Sequence, residues 1–467
     1  MVDLQTRKGP SVGPFRLAAK RLARSVALAT VLLLCGTAAA QAATGSIGAI
    51  GINTIESDGI MLPNDNWDGP GDLTLAQGVG IQLYRARIQL NCVDPNYTGT
   101  FDFTDPSSAC GGLSYDQLVA GLAAHGMTML PILINMNSNG IAVPPTTSGG
   151  PSLAEWSAFA AAAVARYGPS GSFWPTCGCT PEPIQAWEIW NEENNGYWWG
   201  GDASASGYAT VFDATRTALR GVDPQARVVV GGLTYDPNGQ SSFVPPAQMI
   251  QTLAAGNANA FDAVAVHPYT DAVGASPAAL AQSAMDYVTE TAQAVEQATG
   301  PSASGGPRQQ IWVTEMGWSD SDAPATTIAD GFQDFINDVN NGDRTQDNIG
   351  PVLWYMLRDN SSINSINDSL GLRYTNSDGS DAGPKPIWPI YASAAEQEGT
   401  VPLPPALADS GPYVAPTIAK TATTPSTKGS TGSKNVALRC TKVKRHGKKH
   451  EVCKRVAKKK ARKHGKK

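Results

Sequence analysis

The chain has 467 residues, 42% of them hydrophobic, which is enough to fill a sizeable core and marks the chain as globular. Its formal net charge of −5 hides three unlike parts: residues 1–43 hold 6 Lys+Arg against 1 Asp+Glu, residues 44–433 hold 13 against 38, and residues 434–467 hold 16 against 1. That layout excludes treating the overall charge as a property of any one part, so the ends are read apart from the middle.

At the amino end, Arg7, Lys8, Arg16, Lys20, Arg21 and Arg24 precede the apolar run 26–34 and then Ala40-Gln41-Ala42. This is the build of a secretory signal peptide over residues 1–42. The apolar run is shorter than the ~20 residues of a spanning helix, so no transmembrane segment is expected after cleavage, and the mature protein is expected outside the cell. Six cysteines remain after cleavage, an even number suited to an oxidising compartment. Cys92 with Cys110 and Cys440 with Cys453 are candidate local pairs. Cys177-Gly178-Cys179 reads as a loop disulfide or free thiols, because no histidine or further cysteine lies at zinc-ligand spacing. No metal or cofactor is inferred.

From Gly45 onward, short β-branched runs alternate with longer amphipathic ones, the pattern of βα units around a parallel sheet. Candidate strands are 47–52, 81–87, 128–134, 184–190, 227–231, 263–267, 311–315 and 352–357. Between them lie helix candidates at 115–124, 154–167, 208–220, 247–255, 277–298 and 328–339. Ser152 with Glu155 forms a capping box at the head of one of them. Eight units predict an α/β fold, a (β/α)8 TIM barrel over residues 43–398. An open doubly wound sheet is the rival. It lacks a glycine-rich phosphate turn after the first strand, and polar residues end strands throughout the domain instead of at one crossover point.

Residues 399–433, rich in Pro, Thr, Ala, Gly and Ser, read as a linker. The tail 434–467, with Cys440 and Cys453 able to close a hairpin, reads either as a solvated basic segment or as an electrostatic attachment to an anionic polymer, such as a cell-wall or capsular polysaccharide or nucleic acid. It has no aromatic residue for base stacking, so specific nucleic-acid binding is not expected.

Two strands carry the chemistry. Trp187-Glu188-Ile189-Trp190-Asn191-Glu192 ends an apolar run with an amide beside a carboxylic acid, and Ile311-Trp312-Val313-Thr314-Glu315 repeats the design downstream. On a parallel barrel both acids would stand on the C-terminal rim, facing each other. Cleaving an acetal needs a proton on the leaving oxygen, which Glu192 can give only if it holds that proton when substrate binds. An ionised Glu315 about 5–5.5 Å away would attack the anomeric carbon, with net retention.

These motifs resemble the retaining glycoside hydrolases of clan A, most closely family 39-type enzymes, over about residues 45–398. The resemblance implies that Glu192 is the acid/base and Glu315 the nucleophile. It also implies that Asn191 binds the sugar 2-hydroxyl, that Arg85 and Tyr269 hold the nucleophile, that His267 lies near the reacting sugar, and that Trp354 is the floor on which the sugar stacks. Glu193 stands where that clan usually has proline. It either puts a second negative charge beside Glu192 or points to solvent, and solvent is expected. Glu188 is expected to pair with Arg85 or Arg87 deeper in the barrel. Tyr197, Trp198, Trp199 and Trp318 are expected to line sugar subsites. The substrate implied is a poly- or oligosaccharide; a non-catalytic sugar-binding or surface-attached barrel is the alternative.

Overall fold

The computed structural model describes residues 45–53, 70–104, 114–137, 140–145, 147–235, 242–359, 369–377 and 380–414, with the backbone of 436–445 and 448–457. The chain divides into two compact units, residues 1–414 and 415–467. The proposed signal peptide and most of the linker lie outside the described residues.

In the first unit β1 (Ser46–Gly48) leads into β2 (Ile50–Asn53), followed by β3 (Leu83–Gln89), β4 (Thr128–Ile134), β5 (Ala186–Ile189), β6 (Arg227–Thr234), β7 (Ala263–His267), β8 (Gln310–Val313) and β9 (Ile349–Tyr355). Strands β2 to β9 close in sequence order into a barrel, and every pairing is parallel. The helices are α1 (Pro70–Gly78), α2 (Leu90–Val93), α3 (Tyr115–Ala124), α4 (Leu153–Tyr167), α5 (Gly196–Trp199), α6 (Ala205–Val222), α7 (Pro246–Ala254), α8 (Pro277–Thr299), α9 (Ala325–Asp338), α10 (Arg344–Gln346) and α11 (Ile387–Glu398). A short antiparallel pair, β10 (Arg373–Thr375) with β11 (Asp381–Pro384), precedes α11, and β12 (Thr400–Pro402) follows it. The architecture is the expected (β/α)8 barrel.

Local signals explain the element starts. Ser152 accepts from the Glu155 N–H while the Glu155 carboxylate accepts from the Ser152 N–H, and Ser114 with Gln117 does the same for α3. Alternation along the strands splits the interior in two. Leu83, Leu130, Ala186, Val229, Ala263, Ala265, Trp312 and Leu353 point into the barrel, while their neighbours in sequence pack outward against the helices. Trp312 fills the interior with no exposure, and Gly350 leaves room for it, since a Cβ there would lie 2.5 Å from the indole.

The expected first strand, 47–52, is two strands. β1 leaves the barrel and pairs antiparallel with β12, so Ile47, Val401 and Leu403 plug the N-terminal end. The stretch read as linker therefore begins inside the fold. Leu403 N–H donates to Gly45 O, Arg227 Nε to Pro404 O, Arg220 Nη1 to Leu407 O, and Leu407 N–H to Asp262. Composition misses this because the partners lie more than a hundred residues away, and two buried apolar side chains outweigh a Pro-rich context.

Cys177 and Cys179 form the loop disulfide. Cys92 is disulfide-bonded, and Cys110, its expected partner, lies outside the described residues. In the second unit β13 (Val436–Arg445) and β14 (Lys448–Ala457) form an antiparallel hairpin whose register sets Cys440 opposite Cys453.

Candidate active site

The site is assembled around Arg85, which the alternation of β3 turns into the barrel with no exposure. Its Nε and Nη2 donate to the two oxygens of Glu188 on β5, each at 2.7 Å. Nη1 donates to Glu315 Oε1 at 2.6 Å and Nη2 also to Asn191 Oδ1 at 2.9 Å. A planar guanidinium thus fixes three groups from two other strands, a task that suits its fork of donors. Glu188 pairs with Arg85, not Arg87.

β5 ends at Ile189, and the backbone then turns sharply: Trp190 has φ 72° and Glu192 φ 46°, both left-handed. Such conformations cost roughly 1–3 kcal/mol each and persist only where the surroundings hold them. Here Trp190 is anchored outward, its ring against Trp156 and Trp199 and its Nε1 donating to Trp198 O at 2.7 Å. Asn194, which the sequence reading passed over, ties the loop to β6: Nδ2 donates to Thr234 O and Val244 O, and Oδ1 accepts from Thr234 N–H. An asparagine just beyond the motif is the one local cue to that role. Arg85 takes the amide oxygen of Asn191, which leaves its NH2 as the group for a ligand hydroxyl.

His267 closes the arrangement from the end of β7. Its Nδ1 lies 2.9 Å from Glu192 Oε1 and 3.6 Å from Glu315 Oε2, and Nε2 lies 3.1 Å from Thr314 Oγ1. Thr314 in turn donates to Glu188 at 3.3 Å, so a continuous polar chain joins the two glutamates behind the pocket. Tyr269 Oη donates to Glu315 Oε2 at 3.0 Å. Burial, then the charge of Glu315, push the Tyr269 phenol well above its ordinary value, so it keeps its proton and acts as a donor.

Burial raises the Glu315 carboxyl, but the charges of His267 and Arg85 and the hydrogen bonds from Arg85 and Tyr269 outweigh it and hold the group below the ordinary 4.5. The side chains of Glu192 and Glu315 are each 12% exposed, whereas Arg85, Glu188 and His267 have none. The two glutamates, with part-exposed Tyr269 beside them, therefore open on the pocket. One oxygen of each lies within 4.8 Å of the other. These two carboxylates and His267 could offer three ligand atoms to a cation, but Arg85 already neutralises Glu315, which disfavours one.

Four expectations are corrected. Trp354 is not a sugar floor. Its position in β9 points outward, where its ring packs on Phe332 of α9 and on Trp318 with 1% exposure, and the next residue, Tyr355, faces inward beside Tyr269. Trp318 is itself buried, its Nε1 donating to Thr270 Oγ1 at 2.8 Å. Trp199 is buried against Trp190 and Tyr208, because α5 presents one face of a short turn to the core. Glu193 does not reach solvent: it is fully buried. Trp198 remains half-buried with the Arg87 guanidinium 5.2 Å above its ring, and Tyr197 is 68% exposed.

No protein-family model matches the sequence, and no curated protein matches it. Solved structures do. Similar folds include a family 39 glycoside hydrolase from Bacteroides cellulosilyticus WH2 (17% identity, TM-score 0.51, 75% of this chain and 64% of that one). An exo-β-1,4-mannosidase from Opitutaceae bacterium strain TAV5 has 15% identity and TM-score 0.51, over 76% of this chain and 60% of that one. A family 5, subfamily 18 protein from Streptomyces cattleya, solved with Manβ1-4GlcNAc, has 16% identity and TM-score 0.53, over 76% and 82%. The chain thus spans less than two thirds of the length of two of these three. Its fold is the eight-stranded barrel of the clan A glycoside hydrolases. Within that class the similar structures include both family 39 and family 5 members.

Proposed function

We propose that the protein is a retaining β-glycoside hydrolase acting on a poly- or oligosaccharide. The observation that carries this reading is the pair Glu192 and Glu315: two carboxyls that open on one pocket with oxygens within 4.8 Å, one of them held ionised by Arg85 and Tyr269. A separation of about 5–5.5 Å suits direct attack, whereas an inverting pair stands farther apart to admit water.

In the first step Glu192 protonates the glycosidic oxygen as the C–O bond breaks, and Glu315 forms a bond to the anomeric carbon. In the second, Glu192 takes a proton from water as the water oxygen attacks that carbon and Glu315 leaves. The Asn191 NH2, its oxygen fixed by Arg85, is placed to bond the 2-hydroxyl. Arg85, Glu188, Thr314 and His267 keep both acids oriented without touching the sugar. Half-buried Trp198, not Trp199 or Trp318, is the aromatic wall.

The test is turnover of the mature protein on a panel of β-linked polysaccharides, with Glu192→Ala and Glu315→Ala run beside it. On a 2,4-dinitrophenyl β-glycoside, whose leaving group departs without a proton, azide should restore turnover to Glu192→Ala and give a glycosyl azide of retained configuration, because azide needs no base. A folded Glu315→Ala that still turns over substrate would refute the assignment. We further propose export through the 1–42 leader and attachment of the basic hairpin to an anionic wall polymer. Sizing of the mature amino end after expression tests the first; binding of the full chain to teichoic acid, falling steeply with salt, tests the second.

A further inference from the structure

Glu193 follows the proposed acid/base directly, yet its side chain turns away from the pocket. It is fully buried, and neither carboxyl oxygen has a hydrogen-bond partner among the described residues. Its space exists because β6 carries glycine there. A Cβ on Gly231 would lie 2.3 Å from Glu193 Oε2 and 2.7 Å from the carbonyl oxygens of Ile189 and Trp190. The next residue, Gly232, opens the matching space for His267, whose Nε2 would lie 1.8 Å from a Cβ. Both glycines fall in the register shift of β6 between Val230 and Leu233. Bulges of this kind re-aim side chains beside active sites. One irregularity therefore houses two groups that flank Glu192: His267, hydrogen-bonded to it, and Glu193, its neighbour in the chain.

The surroundings of Glu193 decide its charge. The oxygens of Ile189 and Trp190 are acceptors. Tyr208 of α6 lies beside it, but that hydroxyl donates to Ile189 O at 2.7 Å and accepts from Gly231 N–H at 3.1 Å, so its proton is directed elsewhere. The other titratable neighbours are Glu188 and Glu192, both acids, and β6 brings only glycine and backbone. Its own backbone N–H favours a carboxylate, but burial outweighs it, and beyond that donor a carboxylate would face oxygens and like charges, whereas the acid form brings its own hydrogen to the nearby carbonyls. Burial first, with Glu188 and Glu192 adding to it, pushes its titration well above the usual carboxyl range.

We propose that Glu193 works as a neutral carboxylic acid, a buried peg that holds the left-handed turn bearing Glu192, and is thus a positioning residue for proton transfer. The inference rests on the reading of Glu192 as acid/base. A carboxyl that anchors the turn by donating to a carbonyl can be replaced by an amide that also donates, but not by a methyl group. Misplacing a general acid slows reactions that need its proton and spares those whose leaving group departs unaided.

The experiment compares kcat/KM for the phenyl and 2,4-dinitrophenyl β-glycosides of the sugar that the wild type hydrolyses, in Glu193→Ala, Glu193→Gln and Glu192→Ala. For Glu193→Ala we expect a fall of about ten- to a hundredfold on the phenyl glycoside and under about threefold on the dinitrophenyl one. Glu193→Gln should recover most of the loss. Equal falls on both substrates, or a glutamine variant as impaired as alanine, would overturn the role. If Glu192→Ala itself shows no leaving-group dependence, the acid/base assignment fails instead.

Thermal unfolding against pH gives a readout without substrate. A raised folded-state value means stabilisation that is full below the ordinary 4.5 and lost as pH rises through the folded value. The melting temperature of Glu193→Gln should therefore gain on the wild type as pH rises. Parallel curves would show that Glu193 is not held neutral.

Discussion

Replacing Glu188 with glutamine keeps the shape of the buried network and removes one charge. In the wild type Arg85 Nε and Nη2 each donate to a Glu188 oxygen at 2.7 Å, between side chains with no exposure. An amide can accept only one of those bonds and turns an N–H toward the other donor. Breaking a buried ion pair costs about 3–5 kcal/mol, and Arg85 keeps Glu315 as a second carboxylate, so the lower end, about 3 kcal/mol, is expected. At roughly 2 °C per kcal/mol for a domain this large, the melting temperature should fall by about 6 °C. The kinetic effect is a separate one. Glu315 would no longer share Arg85, and a like charge would be gone from its surroundings, so its carboxyl should sit lower still. The acid limb of kcat/KM then moves to lower pH. Calorimetry and a pH profile on the same preparation read both quantities. An unchanged melting temperature, or an acid limb moving to higher pH, would show that Arg85 does not couple the two glutamates.

Tyr269→Phe removes a donor from Glu315, so the acid limb should move to higher pH, the opposite direction. The ionised Glu315 stabilises the fold above the ordinary 4.5, and that contribution is lost as pH falls through the lowered folded value; in Tyr269→Phe the loss should be smaller and complete at higher pH, read by thermal unfolding. Trp354→Ala should cost about 3–5 kcal/mol in chemical denaturation, as for a core aromatic, and leave KM unchanged where the variant is folded. A large rise in KM alone would restore Trp354 as a sugar platform. Gly232→Ala drives a methyl group to within 1.8 Å of His267 Nε2, so the imidazole must leave Thr314 or Glu192; kcat on a phenyl glycoside should fall at least about tenfold, and the acid limb of kcat/KM should move to higher pH as Glu315 loses the His267 charge.

The barrel was legible because its signals are local and repeated. Alternating β-branched runs, a capping box at Ser152 and polar residues at the ends of apolar strands each follow from neighbours within a few positions. That Glu192 and Glu315 come together was legible for the same reason, since Asn191-Glu192 and Thr314-Glu315 follow directly on apolar strands. What a single strand could not reveal was the phase of the last pleat. Trp354 and Tyr355 are adjacent, and the choice of which faces the pocket depends on the register of β9 against β2, which sets Trp354 beside Ile52 and Tyr355 beside Asn53. Glu193 was misplaced because an acid in a loop ordinarily finds solvent, and only two glycines some forty residues on provide the space that receives it. The 400–414 segment was misjudged because its partners, Arg220, Arg227 and Asp262, are equally remote.

The pairing of β1 with β12 brings the first and last strands of the barrel unit side by side, Ser46 opposite Pro402 and Gly48 opposite Thr400. Trimming the protein at residue 398, where composition changes, would strip off the stave that completes the base and leave Ile47 facing water. A usable isolated domain should run to residue 414. Because Ser46 and Pro402 pair on the side away from the pocket, a partner protein fused ahead of residue 45 would leave that base, and both glutamates, undisturbed.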